Sequence, residues 1–350
     1  MKKKIVVGLS GGVDSSTTAY ILKQQGWEAI GVTLKLSTAF DPESLSQARQ
    51  LCDKLEIPHH LIDLEDTFKK EIVDYFVQSY LGGTTPNPCA WCNSKIKFGV
   101  LFEKAKELGA DYLATGHYAR IEKEGNRYFI KRAKDERKSQ EYFLSLIPSS
   151  VLAHLVFPLA DYTKEEVKKL AKEKELIFKE RKESQDICFV KGMSYAQFIE
   201  KYLNSSDEYC GQIQHLDGRV LGLHRGIHHY THGQREGLGI GWKEPLYVAD
   251  IDSATKTVVV AERGYLGKNS FMVGNLNWFI SPENFSSLRV RVRYNSLFYN
   301  CKLEKLDNKV LVLLEEKIDA ITPGQLATFY RDDMVVGGGI IEKDENEKGS

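Results

Sequence analysis

Residues 8–16 read Gly-Leu-Ser-Gly-Gly-Val-Asp-Ser-Ser and lie between an apolar run and a helix-forming stretch. The apolar run is Ile5-Val6-Val7, and the helix-forming stretch covers residues 17–25. This order predicts a strand, a glycine-rich loop and a helix, with the loop amides turned inward toward an anion at the helix N-terminus. The unit therefore predicts a phosphate site. Because no Gly-Lys-Ser/Thr follows, the loop is not the P-loop of kinases and GTPases.

The side chains of this loop suit a nucleotide triphosphate. Ser10, Ser15 and Ser16 add hydroxyl donors, and Asp14 is expected to hold Mg²⁺ or a phosphate-bound water. The pattern Ser-Gly-Gly-x-Asp-Ser resembles the PP-loop of ATP pyrophosphatases, which cleave ATP between the α- and β-phosphates. A glycine-rich turn that opens an ordinary helix is the alternative. The nucleotide-binding residues predicted from the loop are Gly8, Leu9, Ser10, Gly11, Gly12, Val13, Asp14 and Ser15.

Length and composition indicate a multidomain globular protein. The chain has 350 residues, more than one compact core usually holds, so we expect two or three domains. Its 48 basic and 48 acidic residues give a net charge of zero, which argues against a bulk nucleic-acid binder and requires local patches for any RNA contact. The sequence shows no signal peptide and no membrane-spanning run. We therefore expect a cytoplasmic protein with no membrane partner.

Alternating strands and helices up to about residue 192 predict an α/β fold with a doubly wound, mainly parallel sheet. Ligands of such sheets bind at the carboxyl ends of the strands, where Gly8 and Gly116 both fall. Glycine-punctuated strands then predict a small central β-rich domain, and alternating runs without helical periodicity predict a C-terminal antiparallel β-barrel. The expected division is a PP-loop domain at 1–192, a central domain at 193–268, a barrel at 269–342 and a disordered tail at 343–350.

The pattern also predicts individual elements. In the first domain they are strands at 28–36, 59–64 and 111–114, helices at 42–55, 65–81 and 94–108, and an antiparallel pair at 118–123 and 127–132. In the central domain they are a helix at 195–203 and strands at 211–222 and 226–241. The basic stretch 164–182 is mixed with glutamates and predicts a solvated helix face.

Three of the six cysteines lie in unusual surroundings. Cys89 and Cys92 follow a proline-rich stretch and precede the predicted helix 94–108, and Cys188 lies in a polar-flanked, non-helical segment. With Asn93 or Ser94 as N-cap, the unpaired amides at the helix start favour the Cys92 thiolate, so Cys92 is expected to be reactive. The other three are interpreted as packing residues, since unpaired cysteine behaves as a small hydrophobe; they are Cys52, Cys210 and Cys301.

Other interpretations of the first three cysteines remain open at this point. The Cys-x-x-Cys pair is compatible with a thioredoxin-like redox motif, although its surroundings differ from that pattern. With Cys188, and His117 as a fourth ligand, it is compatible with structural zinc. Simple core packing is the third alternative, and a proline-rich loop is a poor place for it.

An ordered set of motifs resembles the tRNA-specific 2-thiouridylase family. The set begins with the PP-loop and continues with Thr-Pro-Asn-Pro-Cys-x-x-Cys-Asn-x-x-Ile-Lys-Phe and Ala-Thr-Gly-His-Tyr-Ala. It ends with Ser-Gln-Asp-Ile-Cys-Phe, Gly-Gln-Arg-x-Gly-Leu-Gly-Ile and Pro-Gly-Gln. Each motif alone is weak evidence, whereas the ordered set covers essentially the whole chain.

The resemblance implies an activity and a role for each matching residue. Members of the family adenylate the C2 oxygen of the tRNA wobble uridine and replace that oxygen with sulfur, releasing AMP and pyrophosphate. Leu34 and Gly116 match the adenine and ribose side of the ATP site. Cys92 aligns with the nucleophile, and Cys188 with the residue that carries a persulfide loaded by a cysteine desulfurase or a sulfur-relay protein. A disulfide between these two thiols remains after transfer, for reductants to clear.

One position departs from the family pattern. Many members have an aspartate where this chain has Cys89, so that three thiols surround one site here. Three cysteinates leave one iron of a [4Fe-4S] cluster without a protein ligand and able to bind sulfide. Members with this third cysteine are candidates for an iron–sulfur-dependent route. Under that alternative, the metal ligands are Cys89, Cys92 and Cys188.

The resemblance also implies tRNA contacts. Arginine pairs with phosphate, and aromatic rings stack on unpaired bases. Arg289, Arg291 and Arg293 alternate with valine, which is equally typical of a strand's solvent face. The implied tRNA-contacting residues are Asn87, Pro88, Cys89, His117, Lys138, Ser139, Gln140, Arg293, Tyr294 and Gln325.

Two rival functions fit part of the pattern. Another AMP-forming PP-loop ligase needs the nucleotide loop but neither Cys92 nor Cys188. A tRNA-binding adaptor with a vestigial nucleotide site would bind RNA without releasing pyrophosphate, and the intact Asp14 argues against it.

Overall fold

The computed structural model describes residues 3–37, 41–178, 187–190, 192–203, 207–319 and 321–343. The expected tail falls almost wholly outside this range, as does the stretch Glu183–Asp186 that precedes Cys188. The chain begins with a parallel sheet of five strands in the order β3-β2-β1-β4-β7. Its strands are β1 (Lys4–Gly8), β2 (Glu28–Lys35), β3 (His59–Asp63), β4 (Tyr112–Ala114) and β7 (Leu155–Val156).

Helices cover both faces of this sheet, which confirms the doubly wound prediction. Side chains alternate across β1, so that Ile5 and Val7 pack on one face and Val6 packs on the other. The helices on the Ile5 face are α1 (Val13–Gln24), α2 (Pro42–Leu55) and α7 (Lys164–Glu173). Asp41 caps α2 by accepting from the Glu43 amide at 3.0 Å.

Two long helices contain π-helical segments. The first consists of α3 (Glu65–Phe68), the π segment Lys69–Val73 and α4 (Asp74–Leu81). The second consists of α5 (Pro88–Trp91), the π segment Cys92–Val100 and α6 (Leu101–Glu107). Such segments are rare and frequently occur at functional sites. The second begins at one of the cysteines that the sequence singles out.

The predicted antiparallel pair is present as β5 (Arg120–Glu124) and β6 (Arg127–Lys131). It does not extend the parallel sheet. Instead, β6 pairs with β17 (Met334–Ile341), the last strand of the chain, with Val335 opposite Ile130. The hairpin thus attaches the C-terminal barrel to the first part of the chain.

A four-stranded sheet in the order β10-β11-β8-β9 forms the middle of the chain. Its strands are β8 (Gly211–His215), β9 (Val220–His224), β10 (Leu246–Asp252) and β11 (Thr257–Glu262), preceded by α8 (Tyr195–Leu203). The predicted helix 195–203 is confirmed. The predicted strand 226–241 is wrong, because its glycines adopt left-handed φ values of 67° to 144° that break a strand.

The C-terminal part is a closed antiparallel barrel of six strands, as predicted. The order is β12-β15-β14-β13-β16-β17, and β17 closes onto β12. The remaining strands are β12 (Gly267–Trp278), β13 (Leu288–Arg291), β14 (Tyr299–Leu306), β15 (Lys309–Asp319) and β16 (Leu326–Arg331). Closure leaves the barrel without a free strand edge.

Candidate active site

The glycine-rich loop lies at the carboxyl end of β1, where the sheet order predicts a ligand site. The Leu9 amide donates to the Val32 carbonyl at 2.7 Å, which ties the loop to β2. Ser15 donates to the Gly12 carbonyl at 3.0 Å and accepts from the Ser10 amide at 3.2 Å. The loop therefore wraps around the first turn of α1, whose N-terminal amides are suited to binding an anion.

Two glycines allow close backbone approach at this edge. Gly11 has a φ of +72°, and a Cβ there would lie 2.6 Å from the Ser44 carbonyl oxygen. A Cβ on Gly116, after β4, would lie 2.9 Å from the Asp14 carbonyl carbon and 3.0 Å from the Ser15 amide nitrogen. The loop after β4 is thus pressed against the start of α1. This close approach fits Gly116 at the predicted ribose side of the site.

Asp14 is held in a compact polar cluster. Its carboxylate accepts from Lys164 Nζ at 2.7 and 2.8 Å and from the Tyr118 hydroxyl at 2.8 Å. The Lys164 side chain is only 5% exposed, so the prediction of a solvated face for the basic stretch fails at this residue. Charge neutralisation by Asp14 explains why a lysine is buried here. These contacts occupy Oδ1 twice and Oδ2 once, so Oδ2 keeps a lone pair that could bind Mg²⁺.

The cysteine-bearing helix begins earlier than the sequence predicts. Pro88 is its first residue, and the Asn87 side chain caps it by accepting from the Ala90 amide at 3.2 Å. The prediction that Asn93 or Ser94 is the N-cap is wrong, because proline at the first helical position is compatible with a helix. Cys89, rather than Cys92, therefore lies in the first turn, where amides are unpaired.

The two thiols of this helix differ in exposure. Cys92 is buried, and burial raises the pKa of its thiol to about 12, so it is protonated at neutral pH. Cys89 reaches solvent, although surrounding protein still raises the pKa of its thiol. The positive charge of Lys97 lowers both pKa values, and a charge on Cys188 would raise both. These electrostatic effects place Cys188 and Lys97 in the vicinity of the other two thiols, and Phe189, the neighbour of Cys188, packs in the same apolar cluster as Cys92.

Aromatic packing holds Cys188 in place. The next residue, Phe189, packs edge-on against Phe68 and Phe76, with ring centroids 5.7 and 5.2 Å apart. Phe198 of α8 lies 5.3 Å from the same ring. The Cys188 thiol itself is exposed. The segment is therefore anchored by Phe189 while its thiol faces solvent.

His117 connects the nucleotide loop to the cysteine-bearing helix. It follows Gly116 directly, and its Nδ1 lies 2.7 Å from the Thr115 hydroxyl. Its ring lies 5.6 Å from that of Phe98, and Lys97 is close enough to affect it. Burial and the Lys97 charge hold the pKa of His117 well below its usual value, so the ring is neutral at pH 7. Gly116 and His117 thus join the start of α1 to the cysteine-bearing helix.

Leu34 makes a second connection between the two regions. It lies near the end of β2, on the predicted adenine side, and packs against the apolar cluster that contains Cys92, Ile72 and Ile96. The thiols therefore lie at the same edge of the sheet as the nucleotide loop. The resemblance implied that both sets of residues serve one site, and the sheet topology is the physical reason that they lie at the same edge.

The barrel fastens the loop before Cys89. Gln325 Nε2 donates to the Thr85 and Pro86 carbonyls at 3.0 and 3.1 Å, and the Thr85 amide donates to the Pro323 carbonyl at 2.8 Å. Gly324 has a φ of +89°, and a Cβ there would lie 2.9 Å from the Thr85 carbonyl oxygen. Gln325, predicted to contact tRNA, thus has a local structural role that the sequence did not reveal.

The other predicted tRNA-contacting residues have mixed surroundings. Ser139 is buried, and its hydroxyl accepts from the Ala133 amide at 2.9 Å, while Gln140 Oε1 accepts from the Tyr118 amide at 3.0 Å. Lys138 beside them is exposed. Lys138 therefore faces solvent, whereas the Ser139 and Gln140 side chains bind backbone amides of the protein.

The arginines of the barrel mostly face protein. Arg293 donates to the His232 carbonyl at 3.2 Å and to the Thr322 hydroxyl, which connects the barrel to the central domain. Arg291 lies 3.4 Å from the fully buried carboxylate of Glu141, so the alternative of a solvent-facing strand is wrong at this residue. Tyr294 packs on Phe143, with centroids 4.8 Å apart.

Interpretation of the remaining cysteines as packing residues is only partly correct. Cys52 and Cys301 are buried, whereas Cys210 is exposed.

Among the described residues, the thiols of Cys89, Cys92 and Cys188 do not form a group whose sulfur atoms all lie within 4.8 Å of one another. This spacing is too wide for three ligands of a single metal ion. The ligands of a [4Fe-4S] cluster bind different iron atoms and therefore lie farther apart.

Comparisons with known proteins agree with this fold. A family model described as the tRNA methyl transferase HUP domain matches residues 3–192. Its PRC-barrel companion matches residues 196–262, and an aminomethyltransferase beta-barrel domain matches residues 268–341. The tRNA-specific 2-thiouridylase MnmA of Aquifex aeolicus is 41% identical over 97% of this chain and 99% of its own. The chain belongs to the tRNA-specific 2-thiouridylase family.

Other members of the 2-thiouridylase family are similar over the same length. The enzyme named tRNA-specific 2-thiouridylase MnmA 1 in Syntrophus aciditrophicus is 41% identical over 98% of this chain and 94% of its own. MnmA of Picosynechococcus sp. is 45% identical over 98% and 99%. A crystal structure of a 4-thiouridine synthetase–RNA complex with bound ATP matches 58% of this chain and 50% of its own, with 19% identity and a TM-score of 0.37.

The family assignment confirms the resemblance drawn from the ordered motifs. No helix within the described part of the chain is both long and apolar enough to cross a membrane.

Sequence reasoning missed Lys97, Lys164 and Phe189 as residues that shape the site. Lys97 and Phe189 lie within the cysteine-containing motifs given above. A charged or aromatic residue near a candidate thiol in such a motif could have been recognised as part of the site. Lys164 had no such signal.

Proposed function

We propose that this protein is a tRNA-uridine 2-sulfurtransferase that converts the wobble uridine of the anticodon to 2-thiouridine, with ATP consumed and AMP and pyrophosphate released. The observation that carries this proposal is the Gly116–His117 connection, which joins the nucleotide loop to the helix that bears Cys89 and Cys92. A ligase needs only the loop, and a redox protein needs only the thiols. The combination suits activation followed by sulfur transfer.

The nucleotide side would bind ATP with the open N-terminus of α1 facing its phosphates. Gly11 and Gly116 give the close backbone approach that a phosphate cradle needs, because neither position has room for a Cβ. Mg²⁺ would neutralise the charge that develops on the departing pyrophosphate. The C2 oxygen of uridine then attacks the α-phosphorus, the bond to the β-phosphate oxygen breaks, and an adenylated tRNA remains.

Cys188 and Cys92 have different roles in sulfur transfer. The exposed Cys188 accepts a sulfane sulfur from a cysteine desulfurase or a sulfur-relay protein and becomes a persulfide. The terminal sulfur attacks C2, and AMP leaves with the former C2 oxygen. Cys92 attacks the Cys188 sulfur, the sulfur–sulfur bond breaks, and 2-thiouridine is released with a Cys92–Cys188 disulfide. A dithiol reductant restores both thiols.

Burial of Cys92 has a consequence for this sequence of steps. A protonated thiol is a poor nucleophile, and the pKa of Cys92 is raised to about 12. The charge of Lys97 opposes that effect. Cys92 is therefore protonated at neutral pH and must lose its proton before it attacks, while Cys188 is exposed to the sulfur donor.

An iron–sulfur cluster is a second candidate for the sulfur side. The observation in its favour is Cys89, which adds a third thiol to the group at Cys92 and Cys188. Bound there, a [4Fe-4S] cluster would supply an open iron able to hold sulfide. Protein purified without oxygen would then be brown and contain iron. Colourless, iron-free and fully active enzyme excludes this candidate.

We place the reaction in the cytoplasm, where tRNA and reduced thiols are both present. The predicted tRNA contacts at the thiol loop are Asn87, Pro88 and Cys89, together with His117. We propose further tRNA contacts, away from the thiol loop, at Lys138, Arg293 and Tyr294. Ser139, Gln140 and Gln325, which were also predicted to contact tRNA, have a structural role as well, because their side chains form hydrogen bonds within the protein.

The experiment incubates the protein with ATP, Mg²⁺, unmodified tRNA and either a desulfurase or sulfide, and then measures tRNA nucleosides by mass spectrometry. We expect 2-thiouridine from the wild type and none from Cys188→Ser, because that variant has no thiol to carry the sulfur. Binding of ATP and tRNA should stay nearly unchanged in the variant. Cys210→Ser is the matched control, since Cys210 is also exposed but lies in the central part of the chain.

Wild-type yields of 2-thiouridine from Cys188→Ser would refute the assignment of Cys188. A wild-type protein that releases pyrophosphate without thiolating any tRNA would favour the ligase reading instead. RNA binding without any pyrophosphate release would favour the adaptor.

A further inference from the structure

Outside the active site, a carboxylate and two imidazoles converge where α8 meets the central domain. Glu200 of α8 has its Oε1 atom 2.9 Å from His229 Nε2 and 3.9 Å from His228 Nε2. The two rings lie next to each other, with centroids 4.6 Å apart. One ligand atom from each residue lies within 4.8 Å of the other two. We call these three residues the His–Glu cluster.

His228 is the unexplained member of this cluster. Its side chain is fully buried, and neither ring nitrogen has a hydrogen-bond partner in the described structure. A buried polar group without a partner costs free energy, so it calls for a ligand. His224 shows the ordinary alternative, because its ring nitrogens bind the Lys256 carbonyl and the Gly226 amide at 2.9 and 3.1 Å.

The backbone holds the His228 ring in a defined orientation. Gly226 has a φ of +144°, and a Cβ there would lie 2.4 Å from His228 Cε1. The ring thus lies directly against the Gly226 backbone, with its Nε2 on the side of Glu200. A ring that is fixed in place loses little freedom when it binds a ligand.

The donor set matches a transition metal. Full burial favours the neutral form of an imidazole, and neutral imidazole is the form that binds metals. Nitrogen and oxygen ligands lie about 2.0–2.2 Å from zinc, which places two ligands of a tetrahedral site about 3.3 Å apart. The observed separations of 2.9 and 3.9 Å bracket that value. Two histidines and a glutamate form a known zinc donor set with a fourth position left for water.

We propose that Glu200, His228 and His229 bind one zinc ion, which clips α8 to the central domain. The Tyr195 hydroxyl already donates to the His229 carbonyl at 3.2 Å, so the same helix and turn meet at two points. Phe198 of α8 packs on Phe189, the anchor of the Cys188 segment. A metal at the His–Glu cluster therefore stabilises the helix on which the persulfide-carrying segment rests.

The experiment titrates Zn²⁺ into chelator-stripped, full-length protein and measures binding by competition with a chromophoric chelator. Cys89, Cys92 and Cys188 are changed to serine in all samples, so that these thiols do not compete for zinc. We expect one zinc per chain, and binding at least about tenfold weaker in His228→Gln and in Glu200→Gln. Co²⁺ should give visible absorption bands that both variants lose.

His215→Gln is the matched control. His215 contacts Asp217 and Glu262 at 2.9 and 3.0 Å, so it is a central-domain histidine whose carboxylate partners already satisfy it. This variant should bind zinc like the parent. Zinc should also raise the melting temperature of the parent more than that of Glu200→Gln at the same zinc concentration.

Absence of zinc binding by the parent overturns the proposal, as does equal binding by the parent and Glu200→Gln. If His228→Gln fails to fold, Glu200→Gln still decides the matter, because it keeps the shape of the side chain and its hydrogen bond to His229. These readouts do not depend on thiolation activity, so they stand or fall separately from the proposed function.

Discussion

At the scale of the residue, the surroundings of each thiol decide its chemistry more than its position in a motif. The Cys-x-x-Cys spacing suggests two similar thiols at the start of a helix. Cys89 lies in the first turn and reaches solvent, whereas Cys92 is buried with its pKa raised to about 12. Desolvation dominates at Cys92, which lies beyond the first turn of the helix. Lys97 is the charge that partly offsets this cost for both thiols.

Removing the Lys97 charge should make both thiols less reactive. In Lys97→Met we expect alkylation of Cys89 and Cys92 by iodoacetamide to slow severalfold at fixed pH, and the rate–pH profile to move toward higher pH. The reason is that a lost positive charge raises the pKa of a nearby thiol. Peptide mass spectrometry after timed alkylation measures each cysteine separately.

Lys95→Met is the control for this prediction, because Lys95 is exposed on the same helix and lies over the Trp91 ring instead. Lys97→Arg should keep the wild-type profile. Identical profiles for Lys97→Met and Lys95→Met would show that the charge of Lys97 does not act on the thiols.

At the scale of the element, the site depends on close contact between the loop after β4 and the first turn of α1. The glycine at position 116 permits that contact, and the next residue, His117, reaches the cysteine-bearing helix. That helix has a π segment from Cys92 to Val100. Each element alone is ordinary, and their approach at the sheet edge creates the site.

A methyl group at position 116 should push these elements apart. In Gly116→Ala the new Cβ would lie 2.9 Å from the Asp14 carbonyl carbon, so the backbone must move. We expect a loss of about 1–3 kcal/mol in stability, as in other overpacked positions, together with weaker ATP binding. Thermal unfolding and calorimetric titration with ATP measure the two effects.

Gly241→Ala is the matched control, because a Cβ at Gly241 meets no atom within 4 Å. It should leave ATP binding unchanged. Equal ATP affinity in both variants would contradict the role assigned to the Gly116 contact.

At the scale of the whole molecule, the three parts of the chain meet at the segment that leads to Cys89. The barrel donates to it from Gln325, and the central sheet touches it where a Cβ on Gly83 would lie 2.6 Å from the Ile251 carbonyl oxygen. Arg293 connects the barrel and the central domain nearby. The position of the active-site loop is therefore a property of the assembled chain.

Stability should fall in alkaline solution. Burial raises the pKa of Cys52, Cys92 and Cys301 to about 12 from a usual value of 9.0. Above pH 9 the unfolded chain loses these protons while the folded chain keeps them, so stability declines as pH rises toward 12. Each thiol contributes at most about 1.4 kcal/mol per pH unit in that range. Urea unfolding at pH 8 and above pH 9 measures the decline.

A Cys52→Ala, Cys301→Ala double variant tests this account. It removes two of the three thiols without touching the candidate site, so its stability should fall less steeply with pH than that of the wild type. The same slope in both proteins would assign the alkaline loss to other groups.

Local patterns were sufficient for much of the fold. The alternation of strands and helices predicted the parallel sheet, and α2 and α8 were predicted to the residue. The failures have identifiable causes. Pro88 was interpreted as loop although it opens a helix, and the stretch 226–241 was interpreted as strand although its glycines adopt left-handed conformations.

The sequence by itself determined the nucleotide loop, the family and the three cysteines that matter, because each is encoded by residues that are close together along the chain. Tertiary structure alone decided that Lys97 acts on Cys89 and Cys92, that His117 packs against the helix that bears them, and that Gln325 holds their loop. It also decided which thiol is buried. The reason is that contact and burial depend on segments that are distant along the chain and meet only when the sheet, the central domain and the barrel pack together.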